Sequence, residues 1–264
     1  MKGRALWTNL GAALWLALIY LYVLGPAVVV IIGSFNTATS FPSDFEGFTL
    51  GWYAQLAEHG EFLDALFVSI QIGFIAAFIG SIVGIPVALA LARYEFRLKG
   101  AITAFIMAPL ILPQIVLGMA MLQLLTAVQL PATFAGLALI HAVFVMPYVV
   151  RAMLSCLAGL NPSVSEAAAS LGANAWQRFL LITLPITRAG IMAGFIFAFI
   201  MSFINLPLSL FLTTPTSTTL PIRMFAYMES RIDPFIAAVG SLTVIAVIAG
   251  SFFIEKVLKV RLLA

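Results

Sequence analysis

The chain has 264 residues, of which 63% are hydrophobic and 9% are charged, and its mean hydropathy is +1.14. An ordinary soluble domain has about a quarter of its residues charged, so this composition excludes that class and predicts an integral membrane protein. The net charge of +3 does not indicate nucleic-acid binding, because the basic residues lie beside hydrophobic segments, where they set orientation.

Six segments are long and apolar enough to cross a membrane as helices, which takes about 20 residues. They are residues 10–32, 65–92, 101–125, 132–150, 189–212 and 235–254. The first holds about 23 apolar residues, which is too long for the core of a cleaved secretory signal, so we expect it to be retained. The predicted fold class is all-α, as one transmembrane domain over residues 1–264.

The charges around these segments predict their orientation. Lys2 and Arg4 precede the first segment, whereas residues 34–64 after it contain five acidic residues and no Lys or Arg. Basic residues concentrate on the cytoplasmic side of membrane proteins. With six crossings, all 13 Lys and Arg residues except Arg223 and Arg231 fall on that side. Both termini are therefore predicted to be cytoplasmic.

Proline and glycine predict bends and close packing in the bundle. Pro109 and Pro113 lie inside the third segment and Pro207 inside the fifth, and each removes a backbone donor from its helix. Gly80 and Gly84 have the four-residue spacing that lets membrane helices approach each other closely. Kinked helices suit a moving or cavity-lining protein, although membrane helices also tolerate proline without such a role.

The loop between the fourth and fifth segments, residues 151–188, is long for a compact bundle. Asn161 and Pro162 are typical of a helix start, as N-cap and first helical residue. Gly172 suits the left-handed position that ends a helix. The residues between them place an apolar face on this helix, formed by Val164, Ala167, Ala168 and Leu171.

A second helix is predicted in the same loop. Asn174 is a suitable N-cap, and Gln177 three residues later is its capping-box partner. The helix should continue to Pro185, so the loop is predicted to fold as helix, glycine turn and helix.

The loop also carries the pattern Glu-Ala-Ala, three residues, Gly, nine residues, Ile-x-Leu-Pro. Its defining positions are Glu166, Ala167, Ala168, Gly172, Ile182, Leu184 and Pro185. This pattern, placed before the last two segments, resembles the cytoplasmic signature of permease subunits of type I binding-protein-dependent ABC importers. The resemblance implies the six-helix, MetI-like permease fold with a coupling helix, in the bacterial cytoplasmic (inner) membrane.

Three further stretches resemble the spermidine/putrescine subgroup of that family. They are residues 48–53, 108–113 and 218–221. Relatives in the subgroup carry opines, aminoalkylphosphonates and other small amino compounds. Polyamine permeases often have an acidic pair in the fifth span, where this chain has Ile204 and Asn205, so a polyamine and a smaller, less charged solute both stay open.

The resemblance implies several partners. The loop would form a coupling helix that docks on an ATPase subunit, and Glu166 could pair there with a basic residue. The chain lacks the Gly-x-x-x-x-Gly-Lys-[Ser/Thr] pattern that holds nucleotide phosphates, so ATP and Mg²⁺ are expected on a dimer of separate ATPase subunits. A second permease, different in sequence or identical, and an external solute-binding protein complete the implied importer, with no cofactor and no catalytic residue in this chain.

Polar residues inside the spans indicate where a solute could pass, since an unpaired polar group is unfavourable in lipid. The candidates are Gln114, His141, Ser202 and Asn205. Asn205 could equally bond backbone freed by the kink, whereas for His141 a hydrogen bond to a neighbouring helix is favoured over a place in the pathway. Cys156, the only cysteine, has no His or Cys at metal-ligand spacing, so neither a disulfide nor a metal site is predicted.

Two other classes fit a kinked bundle less well. An intramembrane serine protease needs a Gly-x-Ser-x-Gly or Gly-x-Ser-Gly nucleophile turn, and neither occurs. A self-sufficient secondary transporter is the stronger alternative, but the predicted spans contain no charged residue to couple an ion gradient. It would also leave the long loop without a role.

Overall fold

The computed structural model describes the backbone of residues 2–40 and 44–258, and side chains within 12–40, 44–161, 163–250 and at Lys256. Within these residues helix is the only extended regular structure, and the β-structure is one isolated antiparallel bridge between Asn36 and Phe48. The all-α fold class is therefore confirmed.

The helices follow one another with short connections. They are α1 Lys2–Gly33, α2 Gly51–Glu58, α3 Gly60–Arg93, α4 Lys99–Ile111, α5 Gln114–Ala127, α6 Phe134–Ala158, α7 Pro162–Ser170, α8 Ala175–Arg178, a π-helical turn Phe179–Thr183, α9 Leu184–Ile186, α10 Arg188–Phe203, α11 Leu206–Ser209, α12 Leu220–Ser230 and α13 Pro234–Leu258. One compact unit combines the chain up to Leu63 with Met224–Gly250, and a second contains Asp64–Arg223.

Three helices of the described chain are long and apolar enough to cross a membrane: α3, α6 and the Ala12–Gly33 part of α1. Two further pairs pass the same test only as bent pairs, α4 with α5 at 109° and Ala175–Ile186 with α10 at 71°. The described apolar part of α13, Pro234–Gly250, is shorter. The count is thus three, or five if each bent pair is one span, and six spans stay a prediction.

The helices break beside proline in the third and fifth predicted segments, as predicted, and the break in the third is sharper than a kink, with 109° between α4 and α5. The chain is extended at Leu112 between α4 and α5, next to Pro113. In the fifth segment α10 ends at Phe203, short of the predicted end at residue 212, and Asn205 caps a separate short helix. Pro207 has no N–H to continue the α10 ladder, so the amide of Asn205 starts a new helix instead.

In the second unit, α6 packs against both α3 and α10 through glycines. A Cβ added at Gly84 would lie 3.2 Å from the Cβ of Val149, and one at Gly194 would lie 3.1 Å from the Cα of the same valine. A Cβ at Gly190 would lie 2.6 Å from the Cβ of Cys156. The prediction that Gly80 and Gly84 permit close packing is confirmed, since both face α6. Small residues allow this approach.

In the first unit, aromatic rings from α3, α12 and α13 pack together. The rings of Phe62 and Phe235 are 5.1 Å apart, and those of Tyr227 and Phe235 are also 5.1 Å apart. The Tyr227 hydroxyl donates to Asp233 Oδ2 at 2.8 Å. Burial, together with this bond to a carboxylate, raises the pKa of Tyr227 to about 12.

Candidate coupling segment and intramembrane polar network

The segment that connects α6 to α10, residues 159–187, contains the sequence signature, and we call it the interhelical segment. Its first helix, α7, starts as predicted, because the Asn161 side chain accepts a hydrogen bond from the Ser163 N–H at 3.0 Å. Gly172 follows with φ +87°, and the N–H of Ala173 closes the turn onto Ala168 O at 3.0 Å. Both the helix start and the left-handed glycine turn are confirmed.

The second helix of the segment starts as predicted but does not continue as predicted. Asn174 and Gln177 form a complete capping box, with hydrogen bonds of 2.8 and 2.9 Å. After Arg178, however, the chain forms a π-helical turn, and regular α-helix resumes only at Leu184. Pro185 has no N–H for the carbonyl four residues earlier, so the α-helical ladder loses a hydrogen bond at this point.

The interhelical segment exposes apolar side chains. Leu171 is 89% exposed, Leu181 is 74% exposed and Trp176 is 67% exposed. Residues 151–158 of the predicted loop belong to α6. The three exposed side chains all lie in the rest of the loop, which carries the signature. Apolar side chains clustered at a surface typically mark a contact with another molecule.

The signature residues divide by exposure. Glu166, Ala167, Gly172 and Pro185 are exposed, whereas Ala168, Ile182 and Leu184 are half-buried. The Glu166 carboxylate forms no ion pair with any residue that the structure describes. On α7 the structure therefore presents the Glu166 carboxylate next to a surface of small residues. Ile182 and Leu184 of the Ile-x-Leu part are half-buried.

The four candidate polar residues of the spans form one connected network in the second unit. His141 bonds Ser202 Oγ at 2.8 Å and Ser209 Oγ at 3.0 Å. Ser209 Oγ donates to Asn205 O at 2.8 Å, and Asn205 Nδ2 donates to Gln114 Oε1 at 3.2 Å. All except Gln114 are buried. The sequence identified four of these side chains separately, and the fold brings them together.

The hydrogen bonds define the tautomer of a neutral His141 ring. Ser209 uses its only proton on Asn205 O, so it can only accept from His141 Nε2. Nδ1 of the neutral ring must then accept from Ser202. The tautomer of His141 therefore follows from its two hydroxyl partners. A neutral imidazole with both nitrogens satisfied is a structural connector between α6 and the end of α10.

Gln114 and Asn205 lie at two helix breaks, the first between α4 and α5 and the second between α10 and α11. Gln114 is the first residue of α5 after the α4 break, and Asn205 caps α11 after the α10 break, accepting from the Leu208 N–H at 2.9 Å. A Cβ at Gly118 would lie 3.2 Å from the carbonyl oxygens of Pro207 and Leu208, so α11 packs directly on α5. The two helix breaks therefore meet, joined by one side-chain hydrogen bond.

Sequence reasoning missed Ser209 in this network. Its signal was available, because it lies four residues after Asn205, the spacing at which a serine hydroxyl reaches back to a carbonyl in a helix. No group of three or more His, Cys, Asp or Glu that could hold a metal occurs among the described residues. The site is made of amides, hydroxyls and one imidazole.

The family model for the binding-protein-dependent transport system inner membrane component matches residues 80–263. The chain belongs to this family. It is a permease subunit of an ABC importer, a non-catalytic membrane component, and it falls in the polyamine subgroup. This membership disfavours the secondary transporter and excludes the protease.

Relatives match most of the chain. The PotC permease of a spermidine/putrescine transport system from Haemophilus influenzae is 29% identical over 88% of this chain and 90% of its own length. The PotI permease of a putrescine transport system from Escherichia coli is 31% identical over 86% of this chain and 83% of its own. PhnV from Salmonella typhimurium, a putative 2-aminoethylphosphonate permease, is 26% identical over 86% and 84%.

Solved structures share the fold. A bacterial ABC transporter that imports the acidic polysaccharide alginate aligns with a TM-score of 0.74 over 96% of both chains, at 13% identity. The same alginate transporter with a pentasaccharide-bound periplasmic protein aligns with a TM-score of 0.69 over 97% of both chains, at 13% identity. These similarities confirm the MetI-like permease fold, and at such low identity they say nothing about the solute.

Proposed function

We propose that this chain forms half of the translocation pathway of an ABC importer and couples it to ATP hydrolysis through the interhelical segment. The observation that carries this proposal is the exposure of Leu171 and Trp176 on a helix–turn–helix built from the family signature. Burying such side chains in a partner gains about 1.5 to 3 kcal/mol each. The partner is an ATPase subunit, which binds ATP and Mg²⁺ itself.

Each signature residue has a physical role in the proposed joint. Ala167 and Ala168 allow the partner backbone to approach α7 closely, and Glu166 pairs with a basic residue of the ATPase. Gly172 holds the left-handed turn, which other residues rarely adopt. Ile182, Leu184 and Pro185 fix the segment to the bundle where it joins α10.

The proposed orientation places the interhelical segment and both termini in the cytoplasm. Arg151, Arg178 and Arg188 lie in or beside this segment, and the acidic stretch 34–64 lies outside. This distribution agrees with the concentration of basic residues on the cytoplasmic side. The solute is then delivered from the other side by an external binding protein.

We place the solute pathway along the joined helix breaks. Gln114 is half-buried, and its amide NH₂ has no hydrogen-bond partner within the described chain, so it is the end of the network that faces the pathway. Broken helices line the solute site in many transporters, because only there can backbone groups face a cavity. His141 and Ser202 support Asn205 from behind and do not contact the solute.

The solute proposed is a polyamine or a related small amino compound, such as an amino acid, opine or aminoalkylphosphonate. The relatives named for spermidine, putrescine and 2-aminoethylphosphonate all fall in this chemical class. The half-buried Gln114 amide offers the second lone pair of its Oε1 to an ammonium group, and the network contains no carboxylate. A monoamine is therefore accommodated at least as well as a polycation.

A two-step experiment tests the proposal. The chain is first purified in mild detergent from its own membrane, and co-purifying proteins are identified by mass spectrometry. We expect an ATPase subunit and a second permease, whether a different chain or a second copy. Isolation of this chain alone, stable and monodisperse, would contradict the proposal.

The second step identifies the solute. The binding protein encoded with the importer is titrated with putrescine, spermidine, 2-aminoethylphosphonate and a set of amino acids, and proteoliposomes are then assayed for ATP-dependent uptake of whichever binds. Saturable binding of at least one amino compound, with uptake that requires ATP, is expected. Binding of sugars or inorganic anions instead would overturn the proposed solute class.

A further inference from the structure

One contact ties the interhelical segment to a helix that the family signature does not include. The Arg93 guanidinium, at the end of α3, donates through Nη2 to Thr183 Oγ1 at 2.6 Å. The two residues are 90 positions apart in the sequence, and Thr183 is 1% exposed. This is a long-range, charge-assisted hydrogen bond, a kind roughly twice as strong as a neutral one.

Thr183 is held in place by its own segment. Its hydroxyl donates back to Arg178 O at 3.3 Å, and its carbonyl accepts from the buried Thr187 hydroxyl at 2.8 Å. Thr183 ends the π-helical turn, in which the Leu184 N–H bonds Phe179 O, five residues back. Such turns are rare and frequently occur at functional positions.

Arg93 has no competing charged partner in the described chain, where no carboxylate lies within ion-pair distance of its guanidinium. It lies in the last turn of α3, where a cation is favoured by the helix dipole. Its hydrogen bond to Thr183 therefore gives the end of α3 a specific attachment point on the interhelical segment.

We infer that the Arg93–Thr183 hydrogen bond is a latch through which movement of the interhelical segment is transmitted to α3. The segment already continues into α10 through the backbone. The latch adds the end of α3, a helix that packs on α6 through Gly80 and Gly84 and on α10 through Gly73. Thr183 occupies the variable position of Ile-x-Leu-Pro, so this connection is additional to the signature. It rests on the proposed function, since it needs an ATPase that moves the segment.

Substitution of Thr183 tests the latch. Thr183→Val removes the hydroxyl with little change of shape, whereas Thr183→Ser keeps it and serves as the matched control. In the reconstituted importer we expect Thr183→Val to lower solute transported per ATP hydrolysed by about fivefold to tenfold, the effect of losing one charge-assisted hydrogen bond. Thr183→Ser should stay near the wild-type ratio, and both variants should still co-purify with the ATPase.

A double-mutant cycle separates the latch from a general structural effect. Arg93→Met should lower the same ratio, and the Arg93→Met/Thr183→Val pair should be no worse than the poorer single variant, because one interaction is lost in both. The latch would be overturned if the losses of the two single variants add up in the double variant. It would also be overturned if Thr183→Val transports the normal amount of solute per ATP hydrolysed.

A distance measurement gives a readout that does not depend on the solute. Spin labels are placed at Tyr94→Cys and Ser170→Cys in a Cys156→Ser background, both sites being exposed. With the latch intact, the distance should not change when ATP and vanadate are added, and it should change in Thr183→Val. If no ATPase co-purifies with the wild type, the proposed function fails. If it does and the distances of wild type and variant agree, only the latch fails.

Discussion

In most proteins apolar side chains are buried and polar side chains are exposed, and the intramembrane polar network and the interhelical segment both depart from this pattern. In the network, polar side chains such as His141 and Asn205 are buried, and their hydrogen-bonding groups are satisfied by one another. In the interhelical segment, apolar side chains such as Leu171 and Trp176 are exposed. Within the described residues, the network is satisfied except at the Gln114 amide NH₂.

This difference separates two kinds of function in one unit. Buried polar groups need partners within the protein, so a complete network indicates a structural support with one open end at Gln114. Exposed apolar groups on a well-capped helix–turn–helix are the basis of the proposed contact with an ATPase subunit. The helix α10 connects the two, since it starts directly after Thr187 and ends beside Asn205.

The largest effect is expected from a substitution that disrupts the interhelical segment and leaves the polar network intact. Gly172→Pro cannot adopt the φ of +87° found here, because proline fixes φ near −65°. We expect loss of ATPase co-purification and of uptake, with normal amounts of the chain in the membrane. Gly172→Asn is the matched control, since asparagine tolerates the left-handed conformation, and it should retain most uptake. Equal uptake by the wild type and the proline variant would contradict the coupling role.

The next prediction tests whether an exposed apolar side chain contacts a partner protein or lipid. Leu171→Asp should weaken ATPase co-purification about tenfold, because a charge replaces an apolar contact worth about 1.5 kcal/mol or more. The same change at Leu139, which is exposed in the second turn of α6 and inside the fourth predicted span, should instead lower the amount of protein inserted in the membrane, by the cost of a charge in lipid. Quantitative immunoblots of membranes and of pull-downs measure both. A Leu171→Asp protein that inserts poorly would show that this residue faces lipid and not a partner.

A smaller effect tests whether the network is a support. His141→Leu leaves Ser202 and Ser209 without their ring partner, so it should lower the free energy of unfolding in detergent by about 1 to 2 kcal/mol. Adding Ser202→Ala should not double the loss, because both sides of one hydrogen bond are then apolar. Thermal unfolding of the purified importer measures this. An unchanged stability with altered solute preference would place His141 in the pathway itself.

The smallest effect concerns the helix that joins the two regions. Gly190→Ala places a Cβ 2.6 Å from the Cβ of Cys156, so α10 must shift on α6 at a cost of about 1 kcal/mol. Cys156→Gly should rescue it by removing the opposing atom. Gly100→Ala, where no heavy atom lies within 4 Å, is the neutral control. Transport per ATP should fall together with stability in Gly190→Ala, and both should recover in the Gly190→Ala/Cys156→Gly double variant. If the double variant does not recover, the contact with Cys156 is not the cause of the loss.

Local features of the interhelical segment were predictable from the sequence. Asn161 and Pro162, Gly172, and the Asn174–Gln177 pair act over three or four residues, and each of them has the predicted geometry. The π-helical turn was not predictable in the same way, although Pro185 indicated that the α-helical ladder would be interrupted. The coupling role of these residues stays a prediction until the ATPase is tested.

The pathway residues were predictable only as separate candidates. Polarity inside an apolar span identified Gln114, His141, Ser202 and Asn205, but their hydrogen bonds join residues 61 to 91 positions apart. No local pattern encodes such pairs. The same holds for Arg93 and Thr183, whose contact depends on where α3 ends relative to a turn 90 residues later.

The sequence alone determined that this is a helical membrane protein with a capped helix–turn–helix in its longest predicted cytoplasmic loop, because hydropathy, capping and turn preferences are properties of neighbouring residues. The tertiary structure decided that the two helix breaks meet at Asn205 and Gln114, and that both ring nitrogens of His141 have hydroxyl partners. Those outcomes depend on how closely Gly84, Gly118 and Gly194 allow the helices to approach. Packing across the bundle, and not local preference, sets the partners of a buried polar group.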